Sequence, residues 1–433
     1  MKIAQRTVLV DTAAEPGRRR RIVAAGTIGN VLEWYDFSIY GFFAVQIGAT
    51  FFPSGDRISQ ALSVFSVFAV GYLARPLGAI AIGHIGDRHG RPMALTVSIA
   101  GMIVPTLGMG LLPGHASIGI AAPILLTMLR LIQGLAVGGE SAIANVFMIE
   151  HAPAGRRALA GAICGAGYAV GIQLASMMAL ACASLLSPAE LQDWGWRIPF
   201  WLSLAIALSG FYIRRALKDL APPAAQHPSP LAEVLRHHGG LVLRIAGLSL
   251  FAAVGFQTAF IYIAEWLQRV NGVSPAETFG VTSFSMLAVT PVSLFFGWLA
   301  DRAGRRGLLM ASAAVGVLGA VPFFMLMQHN STAGILLGQT GFILALGLQF
   351  GVQGALMVET TPEAIRCTAL AIGNNIAWSI VGGLTPLVAT WLAWRTGDEL
   401  SPAYLVAGAA AITLVALYFT KDTFRRGSVG RSN

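Results

Sequence analysis

Charge is scarce in this sequence. Asp, Glu, Lys and Arg make up 11% of its 433 residues, where a soluble domain carries about 25%. That excludes a water-soluble globular fold, because there is too little charge to cover one. Cysteine is rarer still. Cys164, Cys182 and Cys367 each sit in an apolar run without metal-ligand spacing, which argues against a disulfide framework or a zinc site. A Gly-rich nucleotide loop is missing, and so is any grouping of Ser, Cys, His and Asp suited to nucleophilic or metal-assisted catalysis. No enzyme activity, cofactor or metal is expected.

What fills the chain is apolar. Hydrophobic residues form 55% of it, in runs of about 20 residues or more, long enough for membrane helices and too long for the strands of an outer-membrane barrel. Lys and Arg outnumber Asp and Glu by 29 to 20, yet the cations lie in short loops between the runs. That placement is a topogenic signature and not a nucleic-acid stripe. The expected partner is the lipid bilayer, not nucleic acid.

The runs and their polar breaks predict an all-α membrane protein of twelve transmembrane helices. Approximate spans are 22–50, 58–85, 93–112, 119–149, 157–186, 196–215, 241–268, 278–300, 308–328, 332–359, 366–393 and 402–420. The chain divides into an N-terminal segment at 1–21, a six-helix bundle at 22–215, a Pro-rich linker at 216–240, a second bundle at 241–420 and a tail at 421–433. Arg18 to Arg21 precede the first span, which holds Glu33 and Asp36 and lacks a cleavage site. Both termini are therefore expected in the cytoplasm of a bacterial cell, with the protein in its inner membrane.

Two markers occur twice, in the same order. Gly83-His-Ile-Gly-Asp87-Arg88-His-Gly90-Arg91 returns as Gly297-Trp-Leu-Ala-Asp301-Arg302-Ala-Gly304-Arg305-Arg306, and Glu150-His-Ala-Pro153 with Arg156-Arg157 returns as Glu359-Thr-Thr-Pro362 with Arg366. A fixed long period of this kind means a duplicated half. Acidic positions that repeat along with the basic ones point to a charged layer. The expected cytoplasmic gate comprises Asp87, Arg88, Gly90, Arg91, Glu150, Arg157, Asp301, Arg302, Gly304, Arg305, Glu359 and Arg366. Asp87 and Asp301 are placed to accept from helix N-termini or to pair with arginines. Glu150 with Arg157, and Glu359 with Arg366, extend the same layer.

The loops at Asp87 and Asp301 resemble the signature loop of the major facilitator superfamily, and Arg130-Leu-Ile-Gln133-Gly134 resembles its fourth-helix motif. Within the superfamily the chain resembles the metabolite:proton symporter family. The likeness lies in Gly29-Asn30, Glu33-Trp34-Tyr35-Asp36, Arg75-Pro76-Leu77-Gly78, Gly138-Gly139-Glu140, Trp194-Gly195-Trp196-Arg197 and Gly382-Gly383. It implies the major facilitator fold and proton-driven import of organic acids, as by alpha-ketoglutarate permease or citrate-proton symporters, or of zwitterionic osmolytes.

Charges inside spans are costly and so are candidates for function. Glu33 and Asp36 share a helix face. With Asp36 as proton carrier and Arg130 as its partner, a pair that forms and opens loads and releases a proton; Glu33 joins the proton-coupling set. Arg75 and Arg130 offer forked donors for a substrate carboxylate. Tyr35, Gln133, Gln257, Tyr262, Gln353, Asn374, Asn375 and Trp378 are further candidates to line a midplane cavity, while Glu265 is expected to meet water. The two arginines, and a chain that ends soon after Lys421, favour a small organic anion, a di- or tricarboxylate, carried with protons by a monomer. The alternatives are a betaine or proline symporter and an efflux transporter.

Overall fold

The computed structural model describes residues 31, 33–53, 56–89, 91–137, 145, 146, 148–150, 152, 153, 155–204, 231–328 and 331–422. The segment at 1–21, most of the linker, Gly90 and Glu140 lie outside these, as do the side chains of Asp87, Arg88 and Arg91.

The described residues are helical, as a bilayer requires of backbone that has no water to bond. Helix α1 comprises 33–42 and, past a turn at Phe43, Ala44–Phe51. There follow α2 (Arg57–His89), α3 (Arg91–Leu111), α4 (Ala121–Ala136), α5 (Arg157–Leu185) and α6, described over 198–204. The second half holds α7 (Gly239–Val270), α8 (Pro275–Ala303), α9 (Arg306–Gln328), α10 (Thr332–Thr360), α11 (Glu363–Thr396) and α12 (Ser401–Tyr418). Eight of the described helices, α2, α5 and α7 to α12, are long and apolar enough to cross a membrane on their own. Ser274 and Ser331 cap α8 and α10, and each satisfies a backbone N–H that would otherwise be orphaned.

One expected span is broken. The sequence predicts helix through 119–149, but α4 stops at Ala136 and Val137 is extended (φ −88°, ψ 92°), immediately before Gly138-Gly139. Glycine pairs disfavour helix because their backbone has the most freedom to lose. Helix is present again at 145–146 and 148–150.

Close approach sets the positions of the inner helices. A carbon added to Gly134 of α4 would fall 2.0 Å from the Gly71 carbonyl oxygen of α2, so only glycine fits and α4 lies hard against α2. The halves touch through α5 with α8 and α10, and through α2 with α11. Large apolar side chains such as Leu185, Leu243, Leu287 and Leu318 face outward, toward lipid. Helices α7 and α11 each contain a wide π turn, Gln257–Tyr262 and Asn375–Gly382. Such turns are frequent at functional sites. Here they widen the inner helices where the two halves face each other.

Candidate substrate and proton site

The intramembrane charges pair differently from the sequence expectation. Arg75 of α2 forms an ion pair with Glu33 of α1, and its guanidinium lies 5.2 Å from the Phe37 ring and 5.3 Å from the Tyr72 ring. Arg130 and Asp36 do not meet directly. They are joined by a relay: Arg130 Nη1 donates to Gln133 Oε1 at 2.6 Å, Gln133 Nε2 donates to Thr106 Oγ1 at 2.7 Å, and Thr106 lies 2.8 Å from Asp36 Oδ2. The Thr106 hydroxyl is also 2.8 Å from the Met102 carbonyl, and its single proton serves one acceptor at a time. Asp36 Oδ1 and Arg130 Nε and Nη2 have no hydrogen-bond partner.

Aromatic rings explain why Arg130 stands back from Asp36. Its fully buried guanidinium sits 4.2 Å from the Tyr40 ring, 4.8 Å from Phe37 and 5.5 Å from Phe68. Cation–π attraction in a dry setting holds the cation without a carboxylate. Phe37 thus lies between both arginines. Two acids and two arginines face this core, and their formal charges balance.

Beside this charged cluster stands an aromatic cage drawn from both halves. Trp34 of α1 meets Trp378 of α11 at 5.6 Å and Phe256 of α7 at 5.5 Å, in each case nearly edge to face. Phe256 lies 5.7 Å from Trp378. Tyr168 of α5 flanks Trp34 at 6.0 Å, and Phe350 of α10 flanks Trp378 at 6.4 Å. Trp34, Tyr168, Phe350 and Trp378 remain only partly buried. Gln257, next in sequence to Phe256, is fully buried beside Tyr72.

The other expected binding residues divide. Tyr35 turns away and donates to the Pro199 carbonyl at 3.0 Å. Tyr262 accepts from Arg269 at 3.2 Å, seven residues further along α7. Gln353 accepts from Gln349 at 3.2 Å, Asn374 accepts from Ser249 at 2.7 Å, and Asn375 bonds along its own helix, donating to Ala371 and accepting from Ser379. Trp378 alone of the second-half candidates belongs to the cage. Trp34 stood in the quoted motif without being named as a candidate. Phe256, Phe350 and Tyr168 carried no local signal, since apolar rings in a membrane helix are ordinary.

The repeated acidic loops form a layer across the halves. Asp301 of α8 accepts the backbone N–H groups of Ala158 and Leu159, both at 3.0 Å, in the first turn of α5, where the helix dipole favours an anion. Arg305 bridges Asp301 at 3.1 Å and Glu359 at 3.2 Å. Arg366 pairs with Glu150 of the other half, while Glu359 is held by Arg305. Arg302 instead lies over the Trp298 ring at 3.8 Å, and Gly304 ends α8 at φ 99°.

At the opposite end the halves also touch. Phe43 meets Phe279 at 5.5 Å and Phe65 meets Tyr262 at 5.8 Å, so the cage is enclosed between two contact layers. Glu265 does not meet water there. It is 3% exposed and pairs with Arg269, which also holds Glu399 at 2.8 Å. A single helical turn brings Arg269 onto it, and tertiary contact then covers both.

Known proteins resemble the chain over nearly its whole length. A family profile described as "Sugar (and other) transporter" matches residues 22–219, and one described as "Major Facilitator Superfamily" matches 245–432. The glycine betaine/proline/ectoine/pipecolic acid transporter of Dickeya dadantii is 33% identical, over 95% of this chain and 85% of that one. The proline/betaine transporter of Salmonella typhimurium is 32% identical, over 96% and 86%. Among solved structures, a D-xylose-proton symporter has a TM-score of 0.73 at 17% identity, covering 93% of this chain and 98% of that one; at that identity the likeness speaks to fold alone. These relatives overturn the carboxylate expectation, and they do not show the expected likeness to organic-acid permeases. The physical source of the error is visible in the site: Arg75, counted as a free anion receptor, is already neutralised by Glu33.

Proposed function

The chain belongs to the major facilitator superfamily, and we propose that within it this protein is a proton-driven transporter of compatible solutes. Its substrate is a small zwitterion of the betaine or proline class. The observation that carries this reading is the cage of Trp34, Phe256 and Trp378, flanked by Tyr168 and Phe350. A quaternary ammonium has no N–H to donate and is held best by ring faces. A site whose fixed charges balance suits a ligand of zero net charge, and relatives named for betaine and proline transport support the same class.

Transport follows alternating access. The layer at Asp301, Arg305, Glu359, Arg366 and Glu150 closes one end, proposed as the cytoplasmic one, and breaks as the halves rock. Asp36 is the proposed proton carrier. A proton on it removes the anion that Thr106 and Gln133 link to Arg130, which frees α1 from α3 and α4. The site is complete within one chain, so a monomer suffices.

Reconstitution in liposomes with an acidic exterior tests the reading. Labelled glycine betaine, proline or ectoine is expected to accumulate and to leak away on adding a protonophore, while citrate and 2-oxoglutarate are not taken up. Uptake of a carboxylate with no uptake of any zwitterion would sink it.

A further inference from the structure

The end of the bundle opposite Asp301 holds a buried charged cluster, well apart from the aromatic cage and from Asp36. Its centre is Arg269 of α7. The guanidinium donates through Nε to Glu265 Oε1 at 2.7 Å, through Nη1 to Glu399 Oε1 at 2.8 Å and through Nη2 to the Tyr262 hydroxyl at 3.2 Å. Two carboxylates thus share one cation, and with both ionised the cluster carries one negative charge in excess. The remaining carboxylate oxygens, Glu265 Oε2 and Glu399 Oε2, are enclosed and have no hydrogen-bond partner among the described residues. Glu265 is almost wholly buried, while a third of the Glu399 side chain meets water. The Glu399 carbonyl accepts from Trp266 Nε1 at 3.1 Å, which fixes the connection between α11 and α12 against α7.

Tyr262 ties this cluster to the other half. Tyr262, Glu265 and Arg269 stand at i, i+3 and i+7 and so share one face of α7. The Tyr262 ring meets Phe65 of α2 at 5.8 Å. One position earlier, Ile261 packs into the room that Gly41 of α1 leaves, for a carbon added there would fall 2.4 Å from Ile261 Cγ2. The charges therefore lie behind a ring that the first half covers, and withdrawal of α1 and α2 uncovers it.

We propose that Glu265, Glu399 and Arg269 form a proton site that latches this end of the bundle: the two carboxylates hold one proton between them while the end is shut and release it when the end opens. The latch is separate from the proton assigned to Asp36 and does not depend on the identity of the substrate. Its basis is charge and solvent. In an enclosed setting an uncompensated carboxylate is costly, and it takes a proton rather than stay ionised. Once α2 has withdrawn, water reaches the cluster, both carboxylates ionise, and the proton leaves by the Glu399 edge. Because the closed form holds the additional proton, acid favours closure, and that preference fades as pH rises.

The surroundings supply no substitute for the proton. Among the described residues, Arg269 and Glu399 are the charges that act on Glu265. At this end α2, α8 and α11 bear Arg57, Glu277 and Arg395, all exposed, and Glu277 accepts from Thr332. Asp398 accepts the backbone N–H of Leu400 at 2.9 Å and bonds Tyr404 of α12. Helices α9 and α10 face α7 with the uncharged Phe324 and Gln339, and α1 has no charged residue beyond Asp36.

The test measures how far this end stands open as a function of pH. Spin labels at Arg57→Cys and Gln328→Cys, two exposed positions at this end of the two halves, report the separation by double electron–electron resonance. The three native cysteines are replaced by serine, and Asp36→Asn is included to silence the other proton site. From about pH 5 to pH 8 the closed-to-open ratio is expected to fall, by at most tenfold per unit where one proton is released. Adding Glu265→Gln should flatten the response, and so should Glu399→Gln, because either substitution leaves one carboxylate for one cation. The second variant, at the partly exposed position, keeps the test decisive should the first not fold. A ratio that does not respond to pH in the Asp36→Asn protein, or a response that survives both glutamine variants, would overturn the proposal. A shift on replacing potassium by sodium at fixed pH would overturn it too, by showing a metal ion in place of the proton.

Discussion

Asp301, at the end of α8, accepts the backbone N–H of Ala158, at the start of α5, across 3.0 Å. A carboxylate of one half thus closes the helix terminus of the other, and the hydrogen bond from Leu159 doubles the link. In the proposed gate this contact is lost when that end of the bundle opens.

Asp301→Asn is therefore expected to favour the form open at that end. Hydrogen bonds to a charged group are worth about 1.5–3 kcal/mol, roughly a ten- to hundredfold change in the open-to-closed ratio. Ala162, which Gly297 covers closely, provides the reporter. The maleimide labelling rate of Ala162→Cys should rise when Asp301→Asn is added, and an unchanged rate would show that the contact does not hold the end closed.

Trp378→Ala opens the cage from the α11 side. A cation–π contact is worth about 0.5–2 kcal/mol, so the Kd for glycine betaine should rise by roughly two- to thirtyfold. Trp378→Phe keeps a ring face and should lose less. Calorimetry on the two variants checks the order, and equal affinities in both would count against ring-face recognition.

Thr106→Val removes the hydroxyl between Asp36 and Gln133 with little change of shape. The buried Asp36 carboxylate then loses its Thr106 donor, which costs about 1–3 kcal/mol, read as a lower thermal unfolding midpoint in detergent. Asp36→Asn should abolish proton-driven accumulation while counterflow exchange remains. If exchange falls equally, Asp36 belongs to binding or folding and not to coupling.

Arg269→Ala strips the cation from Glu265 and Glu399. Breaking a buried pair by removing one partner costs about 3–5 kcal/mol. Glu265→Gln combined with Arg269→Met should recover much of the lost thermal stability, because the charge on the buried Glu265 is then gone and Glu399, a third exposed, keeps access to water. A double variant no more stable than Arg269→Ala would assign the loss to packing.

The helical class, the span positions and the repeated loops were legible in the sequence. Helix α5 at Arg157–Leu185 matches its expected limits of 157–186 closely, because a long apolar run and its flanking charges are local properties. The break after Ala136 was signalled by Gly138-Gly139 and outweighed by the apolar residues around it. Within the site, the residue types at Glu33, Asp36, Arg75 and Arg130 were readable, and their partners were not.

The sequence by itself determined that this chain lives in a bilayer, in two related halves, with a few charges too costly to be incidental. Those conclusions follow from the transfer energy of each segment, which depends on the segment alone. Only the tertiary structure decided that Arg75 answers Glu33 across 42 positions, that Arg130 reaches Asp36 through Gln133 and Thr106, that Arg366 crosses 216 positions to Glu150, and that rings from both halves converge on Trp34. A buried charge takes whichever partner the helix crossings bring within about 4 Å, and those crossings are set by glycine contacts and wide turns on other helices. Two arginines read along the chain suggested an anion, whereas in the folded bundle two carboxylates balance them.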